Sequence, residues 1–400
     1  MEIGENGIIY DRNESLDISN KGEKMLKNYR AKGKCMYNGC NNNSIDSHTI
    51  SEKISLSTIS VNGEVGCFAS KRDRLEKEII YDKVHVNNIS TFKGFCSKHD
   101  NNLFKSIDNN SEIKDGNEIL LQSYRSVCKS LFDEGCYPSL ELSEKLDIDM
   151  IKKYFSYDEV LRDLNLDDSK IMSIFDSVYS EHKEKLLESR RVLSNYKESI
   201  ENDIKSNFSK IIIEEINGTR MKLVTTADKK VSILYNWFDW RIPVSIFNHH
   251  FFKTEKSVDC ILNFTYIPYE NSAEVFWIFL NRDYHFFYKY WEWFISKNIN
   301  TLNTIESCMM ALENWCINPQ IINDLPEERK KVFLKDMYFN TERTNIMVEY
   351  DISIFDDIRK QLIKSRKCDV KKEITKFSVP FRESDEIRKE EYGKIVFNMF

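Results

Sequence analysis

The sequence predicts an α+β protein in three parts: a small finger stapled by cysteine and histidine, a helical segment, and a mostly antiparallel sheet with flanking helices. Three observations predict it. Residues 34–104 hold two short Cys/His pairs among turn signals, residues 118–208 repeat apolar side chains at helical spacing, and after residue 209 the pattern changes to β-branched runs.

With 400 residues the chain exceeds what one hydrophobic core usually serves, and 41% hydrophobic with 30% charged content is that of a soluble globular protein. Boundaries are expected to give a finger at 1–117, a helical hairpin or coiled-coil-like segment at 118–208, and an α+β domain at 209–400. The apolar stretches 276–280 and 286–294 are interrupted by Arg282, Asp283, Lys289 and Glu292, short of the about 20 apolar residues a spanning helix needs, so no membrane partner is expected. The N-terminus is polar and acidic, unlike a signal peptide. Ten cysteines lie scattered along the chain without the compact spacing of a disulfide framework, which points to a reducing cytoplasm. A net charge of -6 argues against a protein coated with basic residues, while leaving room for a small basic site.

The elements follow in order. Residues 22–30 read as a short helix leading into the finger, which itself reads as loops and short strands with turns at Asn38-Gly39, Asn62-Gly63 and Lys93-Gly94. Leu103, Phe104 and Ile107 recur at helical spacing after Cys96, so His99 and Asp100 fall on the first turn of a helix. Ile119, Leu120, Tyr124, Val127 and Leu131 form one helical stripe. A second, charged helix spans 169–204, with Ile171, Ile174, Phe175, Val178, Leu186, Leu187, Val192, Leu193, Tyr196, Ile200 and Ile204 assigned to one face; it suits an antiparallel hairpin partner or a self-associating coiled-coil arm. Strands are expected at 210–216 and 221–226 about the turn Asn217-Gly218, then at 231–235, 261–267 and 275–280. Helices resume at Tyr284 with a run of aromatics, and again over 302–315.

The chemistry concentrates in the finger. Cys35 and Cys40 bracket a turn, Cys96 and His99 bracket Ser97-Lys98, and one tetrahedral Zn²⁺ can tie two such knuckles together. The alternative is that the cysteines are small core residues and His99 an exposed imidazole; Cys67 is a substitute ligand. Between the pairs lies Ser47-His48, where the histidine is a candidate for catalysis, and Lys71, Arg72 and Arg74 form a small basic cluster suited to phosphates.

Cysteine pairs flanking a histidine dipeptide, with the second pair opening a helix that carries a further ligand, resemble the zinc-stapled HNH endonucleases, a ββα-metal, treble-clef family. The resemblance covers residues 34–108. It implies that Cys35, Cys40, Cys96 and His99 hold a structural zinc, that His48 is the general base of phosphodiester hydrolysis, and that Asp100 holds a catalytic Mg²⁺ or Mn²⁺. The family usually has Asp or His before the base, where this chain has Ser47; Asp46 and Asp108 are alternative carboxylates, and Asn87 or Asn88 fits the position that orients the base. The partner implied is nucleic acid, DNA ahead of RNA, and the pairing of such a finger with a large second domain resembles bacterial effectors of defence against phage or mobile DNA.

The rival reading is a zinc finger that binds nucleic acid or a protein without cutting. Elsewhere, His249-His250 reads as structural, Asp283 and His285 offer a local acid-base pair although the surrounding aromatics point to packing, and no glycine-rich phosphate loop, nucleophile elbow or dinucleotide fingerprint occurs.

Overall fold

The structure is a computed structural model that describes residues 33–73, 76–110, 112–113, 115–135, 168–216, 220–253, 259–311, 314–339, 346, 348–385 and 387–388. It also describes two short paired strands, β1 (Glu2–Ile3) and β2 (Ile9–Tyr10). At 69–79 and over parts of the long helix below, the backbone alone is described. The expected helix at 22–30 and the turn Asn217-Gly218 lie outside the described residues.

A nine-stranded antiparallel sheet organises the chain. Its strands are β4 (Glu64–Asp73), β5 (Glu76–His85), β7 (Ile212–Ile216), β8 (Met221–Thr225), β9 (Val231–Phe238), β10 (Val244–Lys253), β11 (Asp259–Pro268), β12 (Ala273–Leu280) and β13 (Trp315–Ile317), in spatial order β5-β4-β13-β10-β11-β12-β9-β8-β7. Every neighbouring pair is antiparallel. The remaining pair, β3 (Asp46–His48) with β6 (Thr91–Lys93), stands apart from that sheet.

The sheet is apolar on both faces, so its central strands read as continuous apolar runs. Along β12, Val275, Trp277 and Phe279 enter one core while Phe276 and Ile278 enter the other. The first core gathers α4 (Tyr284–Ser296), α5 (Asn298–Ala311), α6 (Pro319–Asp324) and α7 (Glu327–Tyr338) under Trp277, Trp291 and Phe294. The short C-terminal helices α8 (Asp356–Lys364) and α9 (Val370–Thr375) follow. The second core joins α1 (Ser97–Asn109), α2 (Gly116–Gly135) and α3 (Asp168–Lys205) to the opposite face, and Phe92, Phe95 and Phe104 of the finger belong to it.

Helices α2 and α3 run antiparallel: Tyr124 meets Glu201, and ten residues on, the Glu134 carbonyl accepts from Arg190. Val192, Leu193, Tyr196 and Ile200 are buried as the helical spacing predicts, whereas Leu187 is exposed because it falls off that stripe. Two elements differ from expectation. Residues 64–85 form the ten-residue hairpin strands β4 and β5, which extend the large sheet through β13. Trp315, expected at the end of a helix, opens β13 instead, since α5 stops at Ala311 and the Trp315 indole donates to the Met309 carbonyl.

Candidate metal centre and the neighbouring polar site

The first knuckle is a tight loop. Cys35 N–H donates to the Asn42 carbonyl at 2.9 Å and Cys40 N–H to the Tyr37 carbonyl at 3.0 Å. Gly39 takes the left-handed φ of +86°, which a side chain would strain. The second knuckle lies where β6 runs into α1: Cys96 caps the helix in an extended conformation and its carbonyl accepts the first helical bond from Asp100 N–H at 2.9 Å. Gly94 leaves room here, because a Cβ would fall 2.4 Å from the Phe92 ring. Two backbone bonds of 2.7 Å, Met36 N–H to Gly94 and Ile45 N–H to Phe95, hold the knuckles together.

The outcome is a Cys₃His cluster. Cys35 Sγ lies 3.3 Å from His99 Nδ1, Cys96 Sγ 3.4 Å from the same nitrogen, and Cys40 Sγ 3.9 Å from Cys96 Sγ. All four ligand atoms lie within 4.8 Å of one another. A tetrahedral zinc with its usual bond lengths spaces two sulfurs about 3.7 Å apart and a sulfur and nitrogen about 3.5 Å apart, so the donor set fits. Cys67, the substitute ligand, lies on β4 opposite Asp82 and takes no part in the cluster.

The electrostatics agree with a cation site. Burial pushes the Cys35 thiol up to about 11, so a cation is needed to hold it as thiolate. At Cys96 burial also raises the thiol, but the His99 backbone N–H and the side chains of Cys35, Cys40 and Asn42 outweigh it and leave the group below its ordinary value. Burial, helped by Lys98, lowers His99, which favours the neutral ligand form. Tyr37 stacks on the His99 ring with centroids 4.3 Å apart and fixes its plane.

His48 closes β3, paired with Thr91 of β6. Strand alternation puts it on the face of Asp46 and turns Ser47 inward, where the buried Ser47 Oγ accepts from Phe95 N–H at 3.2 Å. Asp46 is engaged by Lys93 at 2.9 Å, and Asp108 binds Arg125 through both oxygens at 2.8 and 2.6 Å. Neither alternative carboxylate is therefore free. Among the finger's buried side-chain atoms without a hydrogen-bond partner are His48 Nε2 and Asp100 Oδ1, along with the hydroxyls of Ser44, Ser55 and Ser90. The chain turns from β3 into a π-helical turn, Glu52–Leu56, that brings Glu52 Oε2 to 3.7 Å from His48 Nε2. Sequence reasoning passed over Glu52, although four residues after His48 is the spacing that returns a side chain in a turn of helix.

Other expectations resolve as follows. Lys71 and Arg72 lie on β4, in register with Glu78 and Lys77; their side chains and all of Arg74 lie outside the described residues. His249 does have a carboxylate partner: Glu134, 115 residues away, meets its Nε2 at 2.5 Å. Asp283 approaches Arg282 at 3.7 Å, and His285 packs on the Tyr284 ring, so the two form no pair with each other. The nine described cysteines are all free thiols.

No family model, no curated protein and no solved structure matches this chain. The fold and the site define an α+β protein with a Cys₃His cluster compatible with structural zinc. Among the described residues, no helix is long and apolar enough to cross a membrane.

Proposed function

We propose that this chain is an HNH-type, metal-dependent endonuclease that hydrolyses phosphodiester bonds in nucleic acid, with His48 as general base. The observation that carries the reading is the order β3, β6, α1, with His48 closing β3 and the Cys₃His cluster placed where β6 enters α1. A zinc there makes a rigid base for the site without entering the chemistry. His48 takes a proton from water as the new P–O bond forms, and the bond to the leaving oxygen breaks. Asp100, one residue beyond a zinc ligand, offers a carboxylate oxygen to a catalytic Mg²⁺ or Mn²⁺, which when bound neutralises charge developing on the phosphate. On this reading the finger at 1–117 acts in the cytoplasm on DNA ahead of RNA, with Lys71, Arg72 and Arg74 on phosphates. The segments 118–208 and 209–400 then direct or restrain it through a partner or self-association, as in defence against phage or mobile DNA.

A specific observation favours the rival, a zinc-stapled module that binds without cutting: Ser47, Asp46 and Asp108 are all engaged by protein groups, which leaves Asp100 as the single site carboxylate carried over from the family pattern. Plasmid DNA and RNA incubated with Mg²⁺ or Mn²⁺ decide between them, after elemental analysis for zinc. Cleavage by wild type and none by His48→Ala, with equal zinc in both, supports the nuclease. Zinc and nucleic-acid binding without cleavage supports the module.

A further inference from the structure

We propose that Glu52 is the positioning residue of His48, and that Asn87 holds Glu52 in turn; this deepens the nuclease reading and rests on it for its catalytic consequence. The three side chains come from separate segments. His48 ends β3, Glu52 opens the π-helical turn, and Asn87 lies in the turn after β5. Those segments are tied by Thr49, whose N–H and hydroxyl both bond the Ser90 carbonyl at 2.9 Å, and by Gln122 of α2, which donates to the Thr49 carbonyl at 3.0 Å. With its amide oriented to satisfy both groups, Asn87 donates to Glu52 Oε1 at 2.8 Å and Oε2 at 3.2 Å. The family resemblance assigns an asparagine directly to the base; here the asparagine reaches a carboxylate, and the carboxylate faces the base.

The gap is 3.7 Å, longer than a hydrogen bond, and His48 Nε2 is buried without another partner. A shift of less than about 1 Å closes it, in line with the loose hydrogen bonds of unliganded sites. The Glu52 side chain is 40% exposed, and a shift of that size keeps it within reach of Asn87. A carboxylate facing Nε2 selects the tautomer that carries its proton there and leaves Nδ1 as the acceptor. When Nδ1 takes a proton from water, Glu52 stabilises the imidazolium, the role an orienting carboxylate has beside any histidine base. The Asn87 amide nitrogen, shared between both Glu52 oxygens, keeps the carboxylate from swinging into solvent.

The test uses full-length protein labelled with ¹⁵N in its imidazoles, with the His48 signals assigned by comparison with His48→Ala. Wild type is expected to hold His48 as one Nε2–H tautomer, Glu52→Ala to relax it to the mixture of a free imidazole, and Glu52→Asp to restore most of the wild-type state. In the cleavage assay Glu52→Ala should lower kcat about 10-fold to 100-fold with KM unchanged. An Nδ1–H tautomer in wild type, or an unchanged tautomer and rate in Glu52→Ala, overturns the proposal. A raised Mn²⁺ requirement with an unchanged tautomer also overturns it, because Glu52 would then be an ion ligand. If no variant cleaves, wild type included, but the tautomers behave as expected, the nuclease reading falls and the positioning of His48 by Glu52 stands.

Discussion

The backbone N–H of Asn38, in the first metal knuckle, donates to Glu201 Oε1 at 2.9 Å although 163 residues separate the two. The same carboxylate accepts from Tyr124 at 2.7 Å and is flanked by Lys197 at 2.7 Å and Lys205 at 2.6 Å. Lys205 also lies 5.0 Å over the Tyr37 ring, which stacks on the metal ligand His99. One buried glutamate on α3 thus secures the knuckle, α2 and α3 to one another. Removing it leaves two lysines, a tyrosine hydroxyl and a backbone N–H without their acceptor.

Glu201→Ala is therefore expected to destabilise the protein by about 3 kcal/mol, the low end for breaking a buried ion pair because Lys205 reaches water. Glu201→Gln keeps one acceptor oxygen, for either the Asn38 N–H on Oε1 or the Tyr124 hydroxyl on Oε2, and should cost less, about 2 kcal/mol. Urea unfolding at a constant slope measures both. Glu201→Ala should release zinc to a chelator faster than wild type, since the knuckle loses its anchor before any ligand is touched.

The metal centre itself gives a sharper expectation. One zinc per chain should be found in wild type and lost in Cys40→Ser and in His99→Ala, while Cys67→Ser keeps it because that sulfur lies on β4. Cobalt substitution should give the visible bands of a tetrahedral thiolate site. Retention should fall as the solution is acidified, since protons compete for thiolates and imidazole. A full complement of zinc in Cys40→Ser would rule this ligand set out.

How much of this was legible in the sequence depends on range. The knuckle pairs, the α1 start at Cys96, and strands such as β8 and β12 follow from spacing and period within about ten residues. The β4–β5 pairing was not legible, because the sequence from Lys71 to Lys77 is charged apart from Leu75 and breaks the apolar alternation. Strand β13 has only three residues and exists because β4 and β10 flank it. Glu201 with Asn38 and His249 with Glu134 are pairings across more than 100 residues that no local pattern encodes. Ser47 stands where the resembled family has Asp or His, and the structure buries its hydroxyl against Phe95 N–H.

Glu274 predicts a pH dependence. It is fully buried on β12, where Oε1 accepts from Ile113 N–H at 2.6 Å and Tyr235 at 3.1 Å, and Oε2 from Tyr269 at 2.8 Å. Burial raises its carboxyl from 4.5 to about 7, with Glu112 adding to the rise, despite those three donors. A folded value above the unfolded one means that the native state binds the extra proton, so this contribution is full below about 4.5 and is lost as pH rises through about 7. Up to about 3 kcal/mol of stability should disappear over that window, and Glu274→Gln should flatten the slope. Thermal unfolding of both proteins in buffers from about pH 5 to 8 measures it; parallel curves would reject Glu274 as the titrating group.

Arg359 on α8 carries the last prediction. Fully buried, its guanidinium bonds Glu306 and Glu373 and donates to Asn303 at 2.8 Å. Glu306 accepts in turn from Ile354 N–H at 2.8 Å and Phe355 N–H at 3.2 Å, so the same network fixes the chain entering α8. Truncation by Arg359→Met leaves two carboxylates buried without their cation, which should cost about 3–5 kcal/mol. Arg359→Lys should recover little, because an ammonium cannot span two carboxylates with a planar fork. Arg359→Met with Glu373→Met should be more stable than Arg359→Met alone, since Glu306 keeps its two backbone donors and only one carboxylate then lacks the guanidinium. A double-mutant cycle measured by denaturant unfolding tests this, and additive losses would show that Arg359 and Glu373 do not depend on each other.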